Sequence, residues 1–152
     1  MSEPTSELSL ELDQLIDARP ATVFRLLTEP DLYAGWFGPD GAVTSVKEME
    51  LTLGGRLELK IAFPGSDFEV RIEGFYEVIE PPTRLVHTWR LMDEELVTTV
   101  AFDIEPQGDR TRLRVIHRGF VDPVDLEQNQ GGWTDHLTTL GKIAAELEEV
   151  SP

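Results

Sequence analysis

His117 and His87 are the side chains of this sequence best placed for proton chemistry inside an apolar interior. Each belongs to an alternating run. Leu85, His87, Trp89 and Leu91 share one parity, and Leu113, Val115 and His117 share another. Alternation at period two puts each set on one face of a strand. With hairpin turns centred near Asp93-Glu94 and Gln107-Gly108, Trp89 is predicted opposite Thr98 and Thr98 opposite His117. Aligned positions on adjacent strands are ~5 Å apart, so Trp89 and His117 would lie ~10 Å apart with Thr98 between them. His87 would stand one inward position further along, level with Val100 and Val115. Placed there, His117 could hydrogen-bond a ligand or move a proton. The same position also describes a buried histidine satisfied by Thr98, a backbone group or water. No carboxylate of inward parity stands beside either ring, so a catalytic set is not expected.

His136 follows Trp133 by three residues and falls at the edge of a helical stripe, where it would reach the cavity mouth or solvent. The three histidines make a poor metal site. Zinc catalysis needs three ligands on one centre, and no His-x-His or Glu-x-x-His spacing is present. Cysteine is absent, which excludes disulfides, thiol catalysis and thiolate zinc sites. A P-loop, a dinucleotide fingerprint and a nucleophile elbow are also missing. No cofactor and no metal are therefore expected. Instead, Trp36, Phe37, Trp89, Phe102, Phe120 and Trp133 are the candidate walls of a cavity, with the Tyr76 hydroxyl and Leu137 also turned inward.

The elements that must hold these residues follow from the pattern. Residues 1–7 read as a flexible tail and 8–150 as one domain. Leu8, Leu10 and Leu12 alternate with polar residues and predict a strand. Pro20 opens a short helix with Val23, Phe24, Leu26 and Leu27 on its buried side, and Pro30 opens a second around Leu32, Trp36 and Phe37. From Val43 to His117 the chain reads as six short strands separated by turns, the first of them running to Leu53. After Phe120 the period changes. Trp133, Leu137, Leu140, Ala144 and Leu147 recur at helical spacing. A sheet this large needs its apolar face covered, and the last helix is the only long element available. The outward arginines Arg110, Arg112, Arg114 and Arg118 are expected to pair across strands with Glu11 and Asp13 on one side and Asp103 and Glu105 on the other.

The chain resembles the START-like (SRPBCC) superfamily, in the branch of bacterial homologues of the heat-shock-protein ATPase activator. The resemblance rests on Arg19-Pro20-Ala21-Thr22-Val23-Phe24, Trp36-Phe37-Gly38-Pro39, Gly54-Gly55, and Tyr76 to Leu85 running into Thr88-Trp89. His117-Arg118-Gly119-Phe120 and Gly132-Trp133 complete the ordered set. It implies an α+β helix-grip fold, with a curved antiparallel sheet of about seven strands wrapped around a long C-terminal helix. It also implies binding of a small hydrophobic or aromatic ligand between sheet and helix. Two alternatives come with it: a cyclase- or hydrolase-type enzyme using His117, and a protein-interaction or co-chaperone-like module. The namesake activator also relies on a separate N-terminal domain, and one domain is expected here.

The 13 basic and 29 acidic residues give a net charge of −16, which repels nucleic acid and anionic membrane surfaces. The expected partner is a small apolar or aromatic molecule, with the chain a monomer or homodimer. The first residues are polar and acidic and lack a signal peptide's basic and apolar regions, so a cytoplasmic location is expected.

Overall fold

The computed structural model describes residues 8–150, and the expected tail, residues 1–7, lies outside the described residues. The chain runs β1 (Leu8–Ile16), α1 (Pro20–Thr28), α2 (Pro30–Trp36), β2 (Val43–Met49), β3 (Arg56–Ala62), β4 (Glu69–Glu80), β5 (Arg84–Leu91), β6 (Thr98–Gln107), β7 (Arg110–Phe120) and α3 (Pro123–Val150). The strands form one seven-stranded antiparallel sheet in the order β1-β7-β6-β5-β4-β3-β2. This is the expected helix-grip arrangement. Strand β1 returns to pair with β7, so the first and last strands are neighbours.

The sheet curves because extra residues are inserted at three places. The pairing slips at Lys47 in β2, at Glu77 in β4 and at Gly119 in β7. Such bulges bend a strand and strengthen its twist. Gly119 has a φ of 101°, a conformation that disfavours any side chain. The concave face carries the core, including Leu10, Leu59, Tyr76, Phe102 and Val115, and α1, α2 and α3 cover it. Helix α3 begins at Pro123, where Asp122 accepts the Val124 amide at 2.9 Å as an N-cap.

Three expectations change. The last hairpin turns at Gly108-Asp109, with Gln107 opposite Arg110, so its centre falls one residue later than expected. The positive φ of 67° at Gly108 suits the first position of a two-residue turn. Register therefore moves by two, and His117 stands opposite Val100 rather than Thr98. Strand β2 stops at Met49 instead of running to Leu53, because Gly55 closes a turn onto the Thr52 carbonyl at 2.8 Å. On the convex face Arg112 meets Asp13 and Arg114 meets Glu11 as expected, but Asp103 pairs with Arg84 of β5, and Arg110 with Asp17. A denser network lies further along this face. Arg56 binds Glu48, Glu58 and Glu73, and Arg90 also binds Glu73.

Gly74 on the concave face of β4 has no room for a side chain. A Cβ there would lie 2.1 Å from the Thr88 carbonyl oxygen of β5. Gly74→Ala is expected to cost about 1–3 kcal/mol, since backbone must move to admit the methyl group. Gly131 in α3 is the opposite case, because nothing lies within 4 Å of its Cβ position. Gly131→Ala is expected to stabilise by about 0.5–1 kcal/mol through helix propensity alone. Urea unfolding of the two variants checks both signs.

Candidate functional site

The site is built where the end of α2, the middle of β5 and the first half of α3 converge. Pro30 starts α2, which buries Tyr33 and Trp36, and Phe37, the residue that caps its end, is buried beside them. Trp36 is anchored by its Nε1–H, which donates to the Leu26 carbonyl at 2.7 Å. Phe37 packs against Trp89 at 5.4 Å between ring centroids and against Trp133 at 6.0 Å, and Trp89 meets Trp133 at 5.8 Å. These three rings form a continuous layer. Phe102 lies behind it, 5.8 Å from Trp133 and 5.9 Å from His87. Trp36 and Leu137 are buried in the same core but line no hollow.

Two adjoining hollows open on the outer side of the aromatic layer. One, of about 140 Å³, is floored by Phe37, Trp89 and Trp133 and edged by His136 and Asn129. The other, of about 210 Å³, continues past Trp89 to Thr98, Phe120, Leu96, Glu94 and Asp125. Both are smaller than the roughly 300–1,000 Å³ of an ordinary small-molecule pocket. Side chains fill the centre of the grip. His136 is half-buried over the rings of Phe37 and Trp36, and burial, partly opposed by Asp135, holds its pKa down at about 4.

His117 is tied into a complete chain of hydrogen bonds. Trp133 Nε1–H donates to its Nδ1 at 3.0 Å, which leaves the ring proton on Nε2. Nε2 then donates to Thr98 Oγ1 at 2.7 Å, and Thr98 Oγ1 donates to the Trp89 carbonyl at 3.0 Å. The expected Thr98 contact thus forms diagonally, across the shifted register. Burial, with a smaller push from His87, lowers the His117 pKa to about 3. The ring is neutral at pH 7, and a second proton would displace Trp133 from Nδ1.

His87 is different. Its Nδ1 lies 2.9 Å from the Thr88 carbonyl, which can only accept, so Nδ1 carries the proton and Nε2 is a bare lone pair. That Nε2 is buried and has no hydrogen-bond partner among the described residues. Burial lowers the His87 pKa to about 4, partly opposed by the Thr88 bond. Tyr76, its cross-strand partner on β4, has its ring 5.6 Å away and a hydroxyl that is also unpartnered. The Tyr33 hydroxyl is the third such group. Burial raises the Tyr33 pKa far above the ordinary phenol value, and neighbouring Tyr76 raises it further. Burial raises Tyr76 as well.

Tyr33 escaped the sequence reading. The signal was its spacing, since Tyr33, Trp36 and Phe37 fall at i, i+3 and i+4 on one helical face. Among the described residues no three His, Asp or Glu side chains come together as a metal site would need. Among the described residues no helix is long and apolar enough to cross a membrane.

A family model described as Activator of Hsp90 ATPase homolog 1-like protein matches residues 17–145. Solved structures share the fold across nearly the whole chain. Protein CV1439 from Chromobacterium violaceum is 23% identical with a TM-score of 0.84, covering 90% of this chain and 97% of that one. A protein from Arthrobacter aurescens, solved by solution NMR, is 20% identical with a TM-score of 0.81, covering 95% and 90%. CalU16 from Micromonospora echinospora is 24% identical with a TM-score of 0.67, covering 90% and 76%. No curated protein matches the chain.

Proposed function

We propose, from the premise that the chain belongs to the Activator of Hsp90 ATPase homolog 1-like protein family, that it binds a small hydrophobic or aromatic molecule between sheet and α3. The observation that carries this reading is the aromatic layer of Phe37, Trp89 and Trp133, which floors an open hollow rather than lying sealed in the core. Flat rings offer large contact area at low entropic cost, and a ligand ring can stack where they meet the hollow. The hollow as it stands holds little more than one ring. A larger ligand enters by parting Phe37 from Trp89, and Gly38, with a φ of 114°, gives the chain a bend just after Phe37.

The reading has a direct optical test. All three tryptophans, Trp36, Trp89 and Trp133, lie in or beside the layer. Titration with neutral two-ring aromatics and long-chain lipids is expected to give a saturable change in tryptophan emission for at least one class. A flat response across the panel, with calorimetry equally silent, rejects the proposal.

A further inference from the structure

We propose that a ligand parts the aromatic layer beneath these hollows and seats its polar end in a hydroxyl-selective head site formed by Tyr33, Tyr76 and His87, which lie behind the layer and line neither hollow, so that the chain takes neutral ring compounds bearing a hydroxyl group and rejects their ether, ketone and carboxylate counterparts. The inference rests on the ligand-binding reading and adds the chemistry of the ligand's polar end.

Tyr33 Oη, Tyr76 Oη and His87 Nε2 are buried and lack a hydrogen-bond partner among the described residues. Buried polar groups in folded proteins almost always find partners, and one left unpaired is destabilising. Tyr76 faces His87 across the β4–β5 pair, and Tyr33 packs on the Phe37 ring that floors the hollow, which marks the ground behind the layer as suited to a polar guest.

The His87 tautomer then selects the guest. Because Nδ1–H is given to the Thr88 carbonyl, Nε2 can only accept. Its partner must be a donor. The two phenols can donate or accept. A guest hydroxyl satisfies the set, giving its proton to His87 Nε2 and accepting from a tyrosine. A ketone or an ether oxygen accepts from tyrosine but leaves Nε2 unpaired. A carboxylate does the same and also brings a charge. The nearby arginines Arg56, Arg71 and Arg90 cannot balance that charge, since they lie on the opposite face in ion pairs with glutamates. Glu94 and Asp125 at the mouth of the hollow also oppose an anion. Sites built to hydrogen-bond a hydroxyl reject analogues that lack it far more strongly than apolar pockets reject a missing methylene.

The route to the head site is the aromatic layer. Trp89 stacks on His87 at 5.9 Å and 24°, and Phe37 packs on Tyr33 at 5.7 Å. A flat ligand ring that slips between these pairs from the hollow delivers its substituent to the three atoms.

The test compares 2-naphthol, 2-methoxynaphthalene, 2-acetylnaphthalene and 2-naphthoate by calorimetry on the full chain. The naphthol is expected to bind at least about tenfold more tightly than the ether, consistent with the loss of one buried hydrogen bond. Tyr76→Phe and His87→Phe are expected to bring the naphthol's affinity to within about twofold of the ether's in the same variant. Tyr33→Phe and Tyr76→Phe remove only an unpartnered oxygen, so their thermal midpoints are expected to match or exceed the wild type. If the naphthol and its ether bind equally, the head site holds water only and this inference fails, while ligand binding stands. Retention of the naphthol preference in both Tyr76→Phe and His87→Phe overturns it as well. If none of the four binds and tryptophan emission stays flat, ligand binding itself fails.

Discussion

Trp133→Ala is expected to lower the free energy of unfolding by about 3–5 kcal/mol, among the largest effects available to a single substitution in this chain. Trp133 is buried at 2% exposure and is the ring on which the two layers meet. It touches Trp36, Phe37, Trp89 and Phe102, so truncation leaves a cavity that no neighbour on a rigid strand can fill. Its indole N–H is also the donor that completes His117. Trp133→Phe separates the two contributions. It keeps most of the ring volume but strands His117 Nδ1 in the interior, and the expected loss is about 1–3 kcal/mol for the unpaired acceptor plus a smaller packing deficit. Urea unfolding followed by far-ultraviolet circular dichroism reads both. A Trp133→Ala variant within 1 kcal/mol of the wild type would contradict the packing described above.

Acid should destabilise the fold well before its carboxylates titrate. His87 and His117 are buried and neutral, with pKa values lowered to about 4 and about 3, against 6.5 for an exposed imidazole. Below pH 6.5 the unfolded chain takes up protons at these two residues and the folded chain does not. Stability is therefore complete above pH 6.5 and falls as the pH drops toward the folded-state values. Each fully buried ring contributes a loss of about 2 kcal/mol between pH 6.5 and pH 5. Glu73, held low by Arg90 and Arg56, contributes only once the pH falls through the ordinary carboxylate value of 4.5. The interval from pH 6.5 to pH 5 thus belongs to the histidines. Urea midpoints measured across it should decline steadily, and His87→Phe should remove between about a third and a half of the slope, since half-buried His136, also held at about 4, adds to it. A flat profile between pH 7 and pH 5 would mean that protonated imidazole is accommodated inside.

The elements and their inward faces were legible because alternation and helical spacing are local properties. Leu85, His87, Trp89 and Leu91 needed only their own parity, and the Trp133 to Leu147 stripe only its own period. The Trp89–Thr98 pairing was legible too, since the turn at Asp93-Glu94 is centred as expected. What escaped depends on details that parity cannot carry. Moving a turn from Gln107-Gly108 to Gly108-Asp109 shifts the register of His117 without changing its face. Alternation also does not say whether two inward rings touch, so the filled centre of the grip became visible only through the packing of Phe37, Trp89 and Trp133. Tyr33 was hidden for a related reason. A seven-residue helix gives a weak periodic signal, and nothing local says that its hydroxyl will end up buried without a partner among the described residues. The orphan lone pair of His87 depends on a backbone carbonyl one residue away, a contact no residue pattern encodes.

The pairing of β1 with β7 also sets the order in which the molecule can assemble. Strands β2 to β7 are successive hairpins, each able to zip onto the last as it leaves the ribosome. Strand β1 emerges first yet must wait for its partner, since Asp13 meets Arg112 at a separation of 99 residues. Closing so long a loop brings an entropic cost before any contact repays it, which slows folding. During that wait the alternating leucines of β1 stand unpaired on a nascent chain, exposed to any other strand edge. The acidic residues interleaved with them, Glu11 and Asp13, then act by charge as the guard against premature association, before they serve as ion-pair partners in the finished sheet.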